Sequence, residues 1–308
     1  MASKLYLLSA MLVTLIAAGS TVEGKRISQI KCEEFIRGTQ QETKVIALTL
    51  NPTPIVFKSF VCSRSVDLIL GGEDAKEAEF PHQALLGYRT QDSDEYEFDC
   101  GGTLVSEWYV LTAAHCMKRG KPSFVRLGES NLKQRSAQEF NIEIDYIIRH
   151  PQHRFKESYH DIALIKLMER VYFSNYVQPA CLWDDLNDTI SPVIATGFGV
   201  TESERRSDKL RKVQLEIMDS SECENIFWGL RSFTRGIVDS QLCIGSSRNQ
   251  GDTCQGDSGG PVQVLLNPNG CIYHVLAITS VGAGCGQASA VYTKVASYIE
   301  WIENIVWA

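Results

Sequence analysis

Apolar positions in this chain come in short bursts separated by polar, turn-forming residues. From Ile69 onward such runs occupy Ala84–Leu86, Gly102–Val105, Trp108–Thr112, Phe124–Leu127, Ile142–Ile148, Ile162–Leu167, Val193–Phe198, Val213–Ile217 and Val275–Val281. Runs of this length, bounded by turn residues, predict β-strands. Nothing between them carries a long helical period, so the pattern predicts an all-β barrel or sandwich and excludes a doubly wound α/β sheet. The C-terminus breaks the pattern. Val295, Tyr298, Ile299, Ile302, Ile305 and Val306 recur at spacings of three and four, which predicts one amphipathic helix docked on the strands.

The N-terminal part reads differently. Residues 1–24 carry a lone Lys4 before the apolar run Leu5–Ala18, followed by small residues. That is the form of a secretory signal, cleaved after Gly19 or Gly24. Residues 25–68 hold Cys32, Cys62, Pro52, Pro54 and one alternating stretch, Val45–Leu50. This zone is too short for a core of its own and reads as a linker or pro-segment. The catalytic candidates all lie in 69–308.

Composition narrows the class. The chain has 308 residues, 44% hydrophobic and 22% charged, with a net charge of −7. These values fit a soluble globular protein and predict neither a nucleic-acid nor a membrane partner. The ten cysteines are spread without close pairs. Such spacing favours extracellular disulfides over a zinc module. The charged segment Thr201–Lys212 reads as an exposed loop open to nicking at Arg205 or Arg206. Asn187-Asp188-Thr189 is a glycosylation acceptor triplet.

Three segments could carry hydrolytic chemistry. Ser258 stands in Gly256-Asp257-Ser258-Gly259-Gly260-Pro261, a turn whose Gly256 and Ser258 N–H groups could hold a developing oxyanion. His115, in Thr112-Ala113-Ala114-His115-Cys116, offers an imidazole that titrates near neutral pH. A buried histidine bonded to a carbonyl has the same local pattern. Asp161, in His160-Asp161-Ile162-Ala163, stands before an apolar run, where a turn aspartate is the other reading.

Together and in this order, the three motifs resemble the chymotrypsin/trypsin family of serine proteases, over roughly Ile69–Ala308. The resemblance implies two six-stranded antiparallel β-barrels with a C-terminal helix. It implies His115 as base, Asp161 as orienter, Ser258 as nucleophile and Ser280 beside Asp161. It places Asp252 at the base of the primary pocket, implying cleavage after Arg or Lys, with Gly282 at the pocket mouth. Ala290 stands where trypsin-like members commonly have glycine, so the pocket is expected to be narrower. No cofactor is implied for catalysis.

The same resemblance makes Ile69-Leu70-Gly71-Gly72 a mature N-terminus, released by cleavage after Leu68. Its ammonium would pair with Asp257. The pocket with Asp252 would not favour leucine, so an upstream protease of chymotrypsin-like preference is expected. Disulfides Cys100–Cys116, Cys223–Cys243, Cys254–Cys285 and Cys62–Cys181 are implied; Cys32–Cys271 follows only as the remaining pair. Activation after leucine and a tethering cysteine resemble the snake-like clip-domain proteases of insect cascades, although residues 25–68 lack the six cysteines of a clip domain. Control by serpin-type inhibitors is common in the family. Glu129 and Glu139 match the ends of its calcium loop, but Lys133, Arg135 and Ser136 break the pattern. A digestive or salivary trypsin and a non-catalytic homologue acting as a binding protein are the rival readings.

Overall fold

The computed structural model describes residues 24–46, 53, 55–60, 72–90, 96–118, 120–187, 189–200, 206–246, 257–282 and 289–308. Two β-barrels make up most of it. The first contains β4 (Gln83–Arg89), β5 (Tyr96–Leu104), β6 (Tyr109–Thr112), β7 (Phe124–Leu127), β8 (Phe140–Arg149) and β9 (Ala163–Leu167), closed in the order β4-β5-β6-β9-β8-β7. The second contains β11 (Val193–Gly197), β12 (Arg211–Ile217), β13 (Gln241–Gly245), β14 (Pro261–Val264), β15 (His274–Gly282) and β16 (Ser289–Lys294). Pairing of β15 with β16 closes this ring, and the short strands β3 (Glu73–Asp74) and β10 (Cys181–Leu182) add to it at β12 and β15. Closure leaves few unpaired strand edges, the main hazard of an all-β fold.

The packing follows from the sequence pattern. Register sets Val110 opposite Ile165 and Leu111 opposite Leu164, and all four are fully buried. Both faces of β6 and β9 are covered, which is why their sequences run apolar rather than alternating. The second barrel closes around Val193, Leu215, Ile244, Val262 and Tyr292. The C-terminal stripe starts as a 3-10 turn, Val295–Tyr298, and continues as a helix, Ile299–Val306. Its buried face, Val295, Tyr298, Ile299 and Ile302, joins the core of the first barrel.

Two expectations need correction. The first concerns the segment before residue 69. It carries a helix, α1 (Ile27–Gly38), and a hairpin of β1 (Gln40–Val45) and β2 (Ile55–Phe60). Ser28, Cys32 and Phe35 recur at helical spacing and face inward. Cys32 and Phe35 pack with Cys181 and Ile272, and Phe35 meets Phe173 edge-on. Ser28 donates to Glu303 at 2.6 Å and Arg26 pairs with it at 2.9 Å. Docked this way, α1 brings Cys32 to Cys181, and the two form a disulfide. The expected pairs Cys62–Cys181 and Cys32–Cys271 are therefore both wrong. Cys271 is disulfide-bonded as well. Cys100–Cys116 and Cys223–Cys243 occur as expected. Cys62, Cys254 and Cys285 lie outside the described residues.

The second concerns Thr201–Lys212, whose charge suggested a solvated loop. Arg211 and Lys212 instead belong to β12. The Lys212 side chain is only 4% exposed and lies 2.6 Å from Glu79 and 2.9 Å from Glu73. Arg206 pairs with Asp99 and donates to the Phe98 carbonyl. The buried Glu79 and the half-buried Glu73, not water, neutralise the charge at Lys212.

Candidate active site

The two barrels meet where the three chemical motifs lie. His115 sits in a 3-10 turn, Ala114–Met117, directly after β6. Asp161 stands two residues before β9, and β6 and β9 are hydrogen-bonded neighbours. Strand pairing thus sets the two side chains together across 46 residues of sequence. His115 Nδ1 lies 2.6 Å from Asp161 Oδ2, and the His115 backbone N–H donates to Oδ1 at 2.8 Å. Ser280, from β15 of the second barrel, donates to Oδ2 at 2.5 Å. Thr293 of β16 donates to the Asp161 carbonyl at 2.9 Å.

The electrostatics follow from this cage. The Asp161 side chain is 2% exposed and that of His115 30%. Burial alone would raise the Asp161 pKa. The charge and hydrogen bond of His115, with the bond from Ser280, outweigh it and hold the carboxyl at about 2. At His115 burial lowers the pKa, but the charge and hydrogen bond of Asp161 outweigh this, so the net shift is upward. With the carboxylate ionised, Nδ1 carries the proton toward Asp161, and the other nitrogen, Nε2, is left to accept one.

Ser258 is held by its backbone. Its carbonyl accepts from Gly101 N–H at 2.8 Å, and Gly101 follows Cys100, whose disulfide partner Cys116 follows His115. Gly259 N–H donates to the Thr279 carbonyl at 2.9 Å, one residue from Ser280. The Ser258 turn is therefore pinned to both barrels. Gly259 has φ +76°, and a Cβ there would come within 2.3 Å of Thr112 Oγ1, so the position requires glycine. Asp257 is buried and accepts from Gly199 N–H at 2.8 Å. A Cβ on Gly197 would lie 1.9 Å from its Oδ1. The Gly197-Phe198-Gly199 spacing is the sequence signal for this cradle. The support from Thr293 had no such signal.

Other expected residues divide. Gly282 and Ala290 face each other across β15 and β16, and Ala290 is buried. Asp252, Gly256, Leu68 and Ile69 lie outside the described residues. Asn187 is exposed and bonded to Asp185. At the calcium-loop position, Glu129 accepts from Asn131 N–H at 2.8 Å and pairs with Arg126 at 3.2 Å. Burial pushes its carboxyl above the usual range; the Asn131 bond opposes this and the Glu139 charge adds to it. Both Glu129 oxygens are engaged and a guanidinium supplies the positive charge, a poor fit for a hard cation that needs six or more oxygens. Two sulfur-rich groups also occur among the described residues, Cys32, Cys181 and His274, and Cys100, Cys116 and His115. Their sulfurs are locked in disulfides and offer no thiolate to a metal.

Comparison with known proteins agrees with this geometry. The family model described as Trypsin matches residues 69–302. The chain is 42% identical to serine protease snk of Drosophila melanogaster over 299 residues, covering 94% of this chain and 67% of that protein. It is 34% identical to serine protease Hayan of the same organism, covering 78% of this chain and 39% of that one. With CLIP domain-containing serine protease B4 of Anopheles gambiae the identity is 33%, covering 78% and 71%. Among solved structures it resembles neuropsin, a serine protease expressed in mouse brain, at 32% identity and a TM-score of 0.64, over 77% of this chain and all of that one. With its two barrels and the match from 69 to 302, the chain belongs to the trypsin family of serine proteases and is related to the clip-domain proteases of insects.

Proposed function

We propose that this chain is the secreted precursor of an endopeptidase that cuts after Arg or Lys and becomes active when cleaved after Leu68. The observation that carries the reading is the caged His115–Asp161 pair at 2.6 Å, beside a serine turn pinned to both barrels. His115 Nε2 takes the Ser258 hydroxyl proton as Oγ attacks the scissile carbonyl. Asp161 stabilises the imidazolium that forms, and Ser280 and Thr293 keep Asp161 in place. His115 then gives its proton to the leaving amine, and water resolves the acyl-enzyme by the same exchange. The N–H groups of Gly256 and Ser258 hold the oxyanion. Asp252 selects the basic side chain, and the Ala290 methyl narrows the pocket.

In this reading the ammonium released at Ile69 pairs with Asp257 in the Gly197–Gly199 cradle. A buried carboxylate gains strongly from such a partner, so cleavage drives the oxyanion donors into order. The Cys32–Cys181 disulfide spans the cut and keeps the N-terminal segment attached. With Cys254–Cys285 paired, Cys62 is left for Cys271. Activation after leucine, the tether and the kinship with clip-domain proteases favour limited proteolysis in an extracellular cascade, under serpin-type control, over digestion. Asn187 is exposed and available for a glycan.

The test is to cut the precursor with a protease of chymotrypsin-like preference, sequence the new terminus and profile the product on a diverse peptide library. The expected result is a new terminus at Ile69 and cleavage after Arg or Lys; Ser258→Ala should still be processed to Ile69 but lose the cleavage. Rapid self-conversion of the purified precursor, or cleavage after apolar residues, would overturn it.

A further inference from the structure

The molecule carries a net charge of −7, yet one surface beside Asp161 is basic. Arg149, Arg154, Lys156, Arg231 and Arg235 are all exposed there. Among the described residues no carboxylate lies within 4.0 Å of Arg149, Lys156, Arg231 or Arg235, and Arg154 reaches only Glu157, at 3.9 Å. On other surfaces the pattern differs: Lys133, Arg206, Lys209 and Arg211 each meet an aspartate.

The five cations come from two joined segments, residues 149–160 and 231–235, which make up one rim. The Arg149 guanidinium stacks 4.6 Å from the Phe155 ring centroid, and that of Arg235 lies 4.0 Å from the Tyr159 ring. Ser158 N–H donates to the Ser232 carbonyl and Arg235 N–H to Tyr159 Oη, joining residues 149–160 to residues 231–235. Stacking on rings holds the guanidinium forks in place while their edges stay free to bind oxygen. Apolar groups stand exposed among them: Phe155, Leu230 and Trp228, the last 87% exposed.

We propose that this rim binds an acidic, partly apolar segment of the protein substrate, outside the residues that flank the cut bond. The inference rests on the peptidase reading above. Unpaired arginines call for carboxylates or sulfates. The interleaved Trp228, Leu230 and Phe155 favour a polypeptide over a sulfated polysaccharide, which has no apolar side chains to cover them. The rim begins at the loop that carries Asp161, so one extended chain can occupy both the cleft and the rim. A small arginyl substrate that fills the cleft alone does not sense it.

The test uses the cut enzyme and pairs of fluorogenic peptides with a single arginine at the cleaved bond. One member carries a Glu/Asp/Phe extension and the other a Ser/Gly extension of equal length, placed before the bond in one pair and after it in the other. The acidic member of at least one pair should show about tenfold higher kcat/KM in low salt, an advantage lost in high salt. R154E/K156E/R231E should lose the advantage and leave the neutral peptides unchanged. Anisotropy of the labelled acidic peptide on Ser258→Ala reads the rim without catalysis, so a failure of the peptidase reading stays distinguishable. Equal rates for both members of each pair, or an advantage that survives charge reversal, would overturn the proposal. So would a heparin oligosaccharide whose binding is lost on charge reversal when acidic-peptide binding is not.

Discussion

At the residue scale, Asp161 is set by four donors from three parts of the chain, and its energetics predict a pH profile. Activity should rise with pH as His115 loses its proton, with a midpoint above 6.5 because the net shift at His115 is upward. Asp161→Asn removes both the charge that raises His115 and the acceptor that fixes its tautomer. Measured kcat/KM should fall by about 10⁴-fold. Stability rises with pH as well, over a lower range. The Asp161 pKa is depressed from 3.8 to about 2, so its contribution to folding is complete above pH 3.8 and is lost as pH falls through about 2. Acid titration followed by near-ultraviolet circular dichroism would show this. Ala290→Gly should raise kcat/KM on arginyl and lysyl peptides; equal rates on both substrates, unchanged by the substitution, would dismiss the narrowed pocket. His115, Asp161 and Ser258 were legible in the sequence because their motifs are local, and Ser280 only through the family resemblance those motifs carry. Thr293 was not, since a buried threonine in a strand has no signature until the strand is placed.

At the element scale, β3 and β12 are joined by charge. Lys212 bonds Glu79 and Glu73, while Asp74 meets Lys209 at 2.9 Å and Arg211 at 3.2 Å. The two sets differ in burial. Lys212 and Glu79 are buried, so Lys212→Met should lower stability by about 3–5 kcal/mol by stranding a carboxylate. Adding Glu79→Gln should recover most of that in urea titration. Asp74 is exposed, and Asp74→Asn should change stability by less than about 1 kcal/mol. A charged stretch reads as solvated from sequence alone, and only the partners Glu73 and Glu79, more than 130 residues away, reveal Lys212 as interior. Helix α1 is illegible in the sequence for a related reason. Its buried face is only Ser28, Cys32 and Phe35, and its other partners, Phe173, Cys181, Ile272 and Glu303, lie far along the chain. Nine of the twelve barrel strands, by contrast, were legible through their own short apolar runs; β13 (Gln241–Gly245), β14 (Pro261–Val264) and β16 (Ser289–Lys294) were not among those runs.

At the scale of the whole molecule, the N-terminal segment is built onto the protease domain rather than hung from it. The docked face of α1 and the Cys32–Cys181 disulfide hold it from one side, and Glu303 of the C-terminal helix holds it from the other. Peptide mapping under non-reducing conditions should recover Cys32 linked to Cys181, before and after cleavage at Leu68. A Cys62–Cys181 peptide would contradict the docking of α1. Cleavage before Ile69 should make Ser258 nucleophilic. A fluorophosphonate, which reacts only with an activated serine, reads this without any assumption about substrate. Applied to the intact and cut chains and located by mass spectrometry, the label should appear on Ser258 after the cut, be much slower before it, and be absent in His115→Ala. Labelling of the intact chain at the same rate, or at another residue, would contradict the account.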